Sequence, residues 1–310
     1  MKRLLVFPLM VAGMLHAQER MTAETLWKIG RVSGSQLSPD GKWILYGITN
    51  YNLDLNKGNR DLFVIPVTGG APKKITSFKG SEFNECWKPG TTTVGFLSAE
   101  GGSVQLWEVN PDGTSAKTVT SVDGGINSFL YNAKGDAIVY TQDVKLDKNV
   151  TEKNADLPKA QAFATDDLMY RHWDTWHDNA YSHVFYMPLT GTATDLLADE
   201  RFDSPLAPFG GIEQITISPV GKTIVYTCKK KSGYEAAKST NSELYAYNLD
   251  TKKTINLTEG MMGYDINPAY SSDGKWLAFL SMKHDGFEAD KNDIILMEVA
   301  TGKKQNLTGS

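Results

Sequence analysis

The stretch YRHWDTWHDNAYSH, residues 170–183, gathers the side chains of this sequence best suited to chemistry. Asp174 lies between Trp173 and Trp176, and Arg171 precedes it by one helical turn's spacing. A carboxylate flanked by indole rings can hold a cation in a partly dry cleft, because the rings exclude water while the carboxylate supplies the paired charge. Arg171 then either holds Asp174 in place or offers its guanidinium to a ligand carbonyl. Arg171, Trp173, Asp174 and Trp176 are therefore the candidate substrate-binding set. A plainer arrangement competes with it: Arg171 and Asp174 pair across one turn of helix, while both tryptophans pack on the body of the protein.

The same stretch holds His172, His177 and His183, three of the five histidines. Their spacing matches no familiar zinc motif, so no metal is assigned. A hydrolase nucleophile elbow needs Gly-x-Ser-x-Gly on a strand-to-helix turn. The nearest run, GGSVQ at 101–105, fails at Gln105 and lies between two strands. His-Glu-x-x-His, the full phosphate-cradling Gly-x-x-x-x-Gly-Lys-Ser/Thr and Cys-x-x-Cys are missing from the sequence as well. No catalytic residue and no cofactor are assigned.

The elements that must position this stretch repeat along the chain. SPDGK (38–42), WKPGT (87–91), YNAKGD (131–136), ISPVGK (217–222) and SSDGK (271–275) each precede an apolar strand. The glycine marks a turn needing positive φ. The strands that follow, such as WILYGI, TVGFLS and TIVYTC, are apolar on both faces, which predicts burial on both sides. A second anchor follows each: DLFVIPVTGGAPKKIT, QLWEVNPDGTSAKTVT, VFYMPLTGTATDLL, ELYAYNLDTKKTINLT and IILMEVATGKKQNLT. Gly69, Gly113, Gly191 and Gly302 lie seven residues after Leu62, Leu106, Val184 and Ile295; Thr251 takes that place after Leu244. Four strands recurring every 40–50 residues or so predict an all-β fold of β-propeller blades. About five are expected, at 33–80, 85–122, 126–200, 212–259 and 265–309, after an entry segment at 18–32. The third is enlarged by an insertion at 143–183, which carries the aromatic stretch and must project from one mouth of the propeller. The chain reads as though cut between blades, and five can still close.

The start of the sequence, MKRLLVFPLMVAGMLHA (1–17), has the basic, apolar and small-residue layout of a signal peptide. The expected product is exported, periplasmic or secreted, with no membrane association after cleavage. Losing Lys2 and Arg3 takes the formal charge from −4 to −6. Without a clustered basic surface, a nucleic-acid partner is not expected. Cys86 and Cys228 fall in different repeats and are read as buried free thiols.

Three segments together resemble the prolyl oligopeptidase family of serine peptidases: MTAETLWKIGRVSGSQLSPDGKWILYGIT, RDLFVIPVTGG and DDLMYRHWDTWHD. The branch most similar is that of the acylaminoacyl-peptidase and dipeptidyl-peptidase 5-like exported enzymes, and the resemblance runs from about 21 to 310. In that family a propeller of seven or eight blades precedes an α/β-hydrolase domain, which carries the catalytic serine, aspartate and histidine. The resemblance implies a substrate-gating propeller that meets oligopeptides together with a hydrolase domain absent from this sequence. No triad residue maps onto any position here, so the chain alone is expected to be inactive. The alternative is a stand-alone periplasmic propeller serving as a protein-interaction module, similar to that of TolB.

Overall fold

A computed structural model describes residues 20–160 and 162–309; the expected leader, 1–17, lies outside the described residues. A short helix α1 (Ala23–Lys28) is capped by Thr22, whose hydroxyl accepts the Thr25 N–H. The first sheet follows: β1 (Arg31–Leu37), β2 (Trp43–Asn52), β3 (Lys57–Pro66) and β4 (Lys73–Lys74). The second contains β5 (Phe83–Trp87), β6 (Val94–Ser98), β7 (Gln105–Val109) and β8 (Lys117–Thr118). The third begins with β9 (Ser128–Tyr131) and β10 (Ala137–Lys145). The chain then leaves through α2 (Val150–Lys153) and a small hairpin, β11 (Arg171–His172) and β12 (Thr175–Trp176). It returns as β13 (Ala180–Pro188) and β14 (Thr194–Asp195) to complete that sheet. The fourth sheet is β15 (Ile215–Ile217), β16 (Thr223–Cys228), β17 (Glu243–Asn248) and β18 (Lys253–Asn256), with α3 (Gly233–Lys238) between its middle strands. The fifth is β19 (Asp265–Tyr270), β20 (Trp276–Ser281), β21 (Asp293–Glu298) and β22 (Lys304–Asn306).

All five four-stranded sheets are antiparallel meanders in which spatial order follows chain order. The first turn of each depends on glycine: Gly41, Gly90, Gly135, Gly221 and Gly274 all have φ between +69° and +73°. That region is open to glycine and costly to most other residues. Ser38, Ser218 and Ser271 brace the same turn by accepting N–H groups of the strand that follows.

A second device recurs at the outer edge. Backbone N–H groups of Leu62, Leu106, Leu244 and Ile294 donate to the hydroxyls of Thr76, Thr120, Thr258 and Thr308 at 2.8–3.0 Å. Each threonine stands fourteen residues beyond its donor. The hydroxyl satisfies a strand N–H just where the short fourth strand ends; for Leu62, Leu106 and Leu244 that group would otherwise be buried without a partner.

Four apolar cores hold the sheets together, each between consecutive sheets. Second strands between two neighbours are buried on both faces, as all five residues of β6 are. The strands β2 and β20, in the first and fifth sheets, bury only alternate residues beyond their turns. Polar clips also join the sheets. The Asn84 side-chain amide donates to the Phe129 carbonyl and accepts the Phe129 N–H, so one side chain ties β5 to β9.

A candidate substrate-facing lip on the third sheet

The inserted segment leaves from a long, regular ladder. β10 and β13 pair over nine residues, from Ala137 opposite Pro188 to Lys145 opposite Ala180. This fixes the segment's two ends side by side. Arg201 then grips Asp147 through two hydrogen bonds of 2.7 and 3.0 Å. Asn149 and Glu152 form a capping box on α2, and Lys145 pairs with Glu152.

The structure separates the four candidate residues into two groups. Trp176 belongs to an exposed aromatic cluster within the segment: Phe163 stacks on it at 4.8 Å, Tyr170 lies at 5.9 Å, and the Arg171 guanidinium sits 5.4 Å above its ring. Arg171 and Trp176 face each other across the hairpin ladder. Residues 171–176 form strand and turn rather than helix, so the helical-turn pairing of Arg171 with Asp174 is corrected. The Arg171 side chain turns to an indole face instead of along a helix. Asp174 lies in the exposed hairpin turn beside Trp173, which has φ +55° and is 74% exposed.

Trp173 meets a residue that sequence reasoning missed. The Phe209 ring stands perpendicular to it at 5.4 Å, with His172 at 6.3 Å on the same ring. Phe209 is 72% exposed, yet its loop is firmly built. Leu206 N–H donates to the buried Gln214 side chain at 2.8 Å, and Gly210 N–H to the Leu206 carbonyl at 2.7 Å. A Cβ on Gly210 would come within 2.7 Å of Leu206 backbone atoms, so this turn admits only glycine. The one signal in the sequence was APFGG, an aromatic residue between a proline and two glycines. Behind the loop lies a cavity of about 250 Å³ lined by Ser128, Thr141, Ser182, Leu206 and Gly210 among others. The Ser128 and Thr141 hydroxyls hydrogen-bond each other at 2.7 Å. Nearby, burial raises the Asp203 carboxyl, against the Ser182 N–H that donates to it.

The three histidines go to different places. His172 reaches Phe209, and His177 accepts the Asn179 N–H. His183 is fully buried, with Nδ1 2.9 Å from Asp195 and Nε2 2.8 Å from the Glu200 carbonyl. Burial opposes charge on that ring, but the two acceptors outweigh it and hold its pKa above the ordinary value. Ser103 of GGSVQ accepts a hydrogen bond from Gln105 just before β7, which is not an elbow geometry. Cys86 and Cys228 are free thiols, and burial pushes Cys86 up to about 12.

Consecutive four-stranded meanders packed face to face, with a lip on one of them, define a β-propeller type of protein. No family model matches the chain. It is 39% identical over 282 residues to dipeptidyl-peptidase 5 of Porphyromonas endodontalis, covering 89% of this chain and 40% of that relative. Acylaminoacyl peptidase of Pyrococcus horikoshii superposes with a TM-score of 0.63 at 14% identity, over 91% of this chain and 40% of that one. A protein described as TolB from Agrobacterium tumefaciens gives 0.53 at 14% identity, over 89% and 80%. The chain corresponds to the N-terminal propeller portion of the prolyl oligopeptidase family, in its dipeptidyl-peptidase 5 branch. It spans about two fifths of the length of the curated relative it matches.

Proposed function

We propose that this chain is the substrate-gating propeller portion of an exported serine peptidase acting on oligopeptides, dipeptidyl- or acylaminoacyl-peptidase-like. In this reading the five sheets belong to a propeller of seven or eight blades, and the catalytic residues belong to a hydrolase domain that works with it. One observation carries the reading. A lip rooted by the β10–β13 ladder and the Arg201–Asp147 pair brings Trp173 onto Phe209 of a neighbouring loop, each ring more than 70% exposed. Large exposed aromatic groups on a fixed scaffold are what a protein spends on contact with another molecule. The likeness to dipeptidyl-peptidase 5 supports a peptide as that molecule.

The second reading is a stand-alone periplasmic interaction module. It draws support from the TolB structure, 80% of which the chain covers. Reading the gene beyond codon 310, and assaying the longer product on a dipeptidyl reporter, separates the two. Turnover by the longer product, absent from residues 1–310 alone, supports gating. An immediate stop codon with no turnover favours the module.

A further inference from the structure

The loop that carries Phe209 has two sides. Every residue from 205 to 211 except Phe209 lines the cavity of about 250 Å³ behind it, while the Phe209 ring meets Trp173 of the lip. The rest of the wall comes from the third sheet, chiefly Ser128 on β9, Thr141 on β10 and Ser182 on β13. The cavity therefore sits where the third sheet meets the chain leading into the fourth. Both of those sheets have a packed neighbour on each side.

Its wall has a definite chemistry. The loop supplies Pro205, Leu206, Ala207 and Pro208, followed by the bare backbone of two glycines. No charged side chain is among the described residues that line it. Asp143 and Asp203 lie next to lining residues but are engaged, by the Asn127 amide at 2.9 Å and the Ser182 N–H at 2.8 Å. The third sheet supplies hydroxyls, and their protons do not all find acceptors. Ser128 and Thr141 share one hydrogen bond of 2.7 Å, so one hydroxyl donates and the other accepts. The accepting hydroxyl's own proton has no acceptor among the described residues, and the Ser182 hydroxyl has no partner among them either. Thr141 is only 1% exposed. A donor in such a place calls for an acceptor brought in from outside the chain, because leaving it unmade is costly.

We propose that this cavity receives one uncharged residue of a bound peptide, its small aliphatic side chain against the Pro205–Pro208 wall and its peptide carbonyl accepting from the hydroxyls of the third sheet. The proposal rests on the peptide-gating reading above and gives that site its substrate class: peptides with a small apolar residue where the chain passes Trp173 and Phe209. The volume suits it, since 250 Å³ equals the space of about eight waters, enough for an aliphatic side chain and its own peptide unit. The lining suits it too. A lysine, arginine or carboxylate side chain would be desolvated there without a paired charge, whereas a carbonyl oxygen meets a waiting donor.

NMR titration of the methyl-labelled 310-residue chain tests this without any turnover. With N-acetylvaline methylamide as the probe, the methyl resonances of Leu206, Ala207 and Thr141 should shift together and saturably. N-acetyllysine methylamide should leave them in place. Ser128→Ala combined with Thr141→Val removes both hydroxyls with little change of shape and should raise the Kd of the valine probe about two- to tenfold, read at Leu206 and Ala207. Ser182→Leu fills the cavity and should abolish the response; Ser182→Val replaces it if circular dichroism shows a misfolded chain. Should the double variant fail to fold, the filling variants and the lysine probe still decide. A valine probe that shifts nothing up to its solubility limit, a lysine probe that binds equally well, or a valine response unchanged in the folded variants overturns the proposal. Lack of peptidase activity in the longer product would remove the gating reading yet leave this binding measurable, so the two failures are told apart.

Discussion

Arg60 lies across the bare backbone of Gly47 and forks onto Glu85, with nitrogen–oxygen distances of 2.6 and 2.8 Å, tying the first sheet to the second. A Cβ on Gly47 would fall 2.1 Å from the Arg60 guanidinium carbon, so that glycine is the floor on which the ion pair rests. The guanidinium also donates to the Glu82 carbonyl. Both side chains are largely buried, at 14% and 5% exposure. Glu85→Ala strands a buried cation and should cost about 3–5 kcal/mol, whereas replacing both partners by methionine should cost much less. Urea unfolding of the single and double variants measures the difference; equal losses would mean that the pair contributes packing rather than charge.

Glu82 is fully buried and accepts the Thr76 hydroxyl at 2.6 Å. Burial pushes its carboxyl from 4.5 up to about 7. A carboxyl raised in the folded state holds its proton there longer than in the unfolded chain, so its contribution to stability is full below pH 4.5 and is lost as pH rises to about 7. Glu82→Gln should remove that slope and stabilise the protein at pH 8. Gln105 shows that an amide suits such a place, since it accepts the Thr120 hydroxyl in the second sheet. Thermal melts from pH 4.5 to 8 provide the check, and an unchanged slope would assign the pH dependence elsewhere.

His183 should act in the same direction at higher pH. Its pKa is raised in the folded state, so the stabilisation by Asp195 and the Glu200 carbonyl is complete below the ordinary value of 6.5 and disappears as pH climbs through the folded value. Asp203, Asp143, His177 and Lys230 lie in the surrounding charge network. His183→Gln should flatten the stability profile above pH 6.5, and NMR titration of the imidazole resonances in wild type should place the midpoint above that value. A midpoint at or below it would contradict the assignment.

The two lip tryptophans should behave differently in the longer enzyme of the proposed function. Trp176→Ala removes the centre of the Phe163–Tyr170–Arg171 cluster and should increase proteolytic nicking within 146–179. Trp173→Ala should leave the segment intact and raise KM. Asp174→Asn should raise KM for free-amine dipeptide substrates far more than for N-blocked ones. Equal kinetic effects on both substrate types would remove Asp174 from ligand recognition.

Much of the framework was legible because it is written as spacing. A turn glycine precedes each second strand, and the KKIT, KTVT, INLT and QNLT endings each place a threonine fourteen residues beyond the strand N–H it accepts, so each has a backbone job that any copy must perform. The aromatic lip was legible only as composition. Whether 171–176 forms a turn of helix or a hairpin depends on Phe163 and Tyr170 reaching Trp176, a choice made by packing that no local propensity reveals. Phe209 stayed hidden for a related reason. Its partner Trp173 lies in a different segment, and only the fold brings the two together.

The four cores between sheets also set how the molecule comes apart. Each sheet is held mainly by its two neighbours, so stability propagates along the array as in a one-dimensional cooperative lattice rather than through a common centre. A fault at Val184–Tyr226 would divide the array into a block of three sheets and a block of two, each melting on its own, whereas a fault at Leu62–Phe96 would release a single sheet and leave four acting as one.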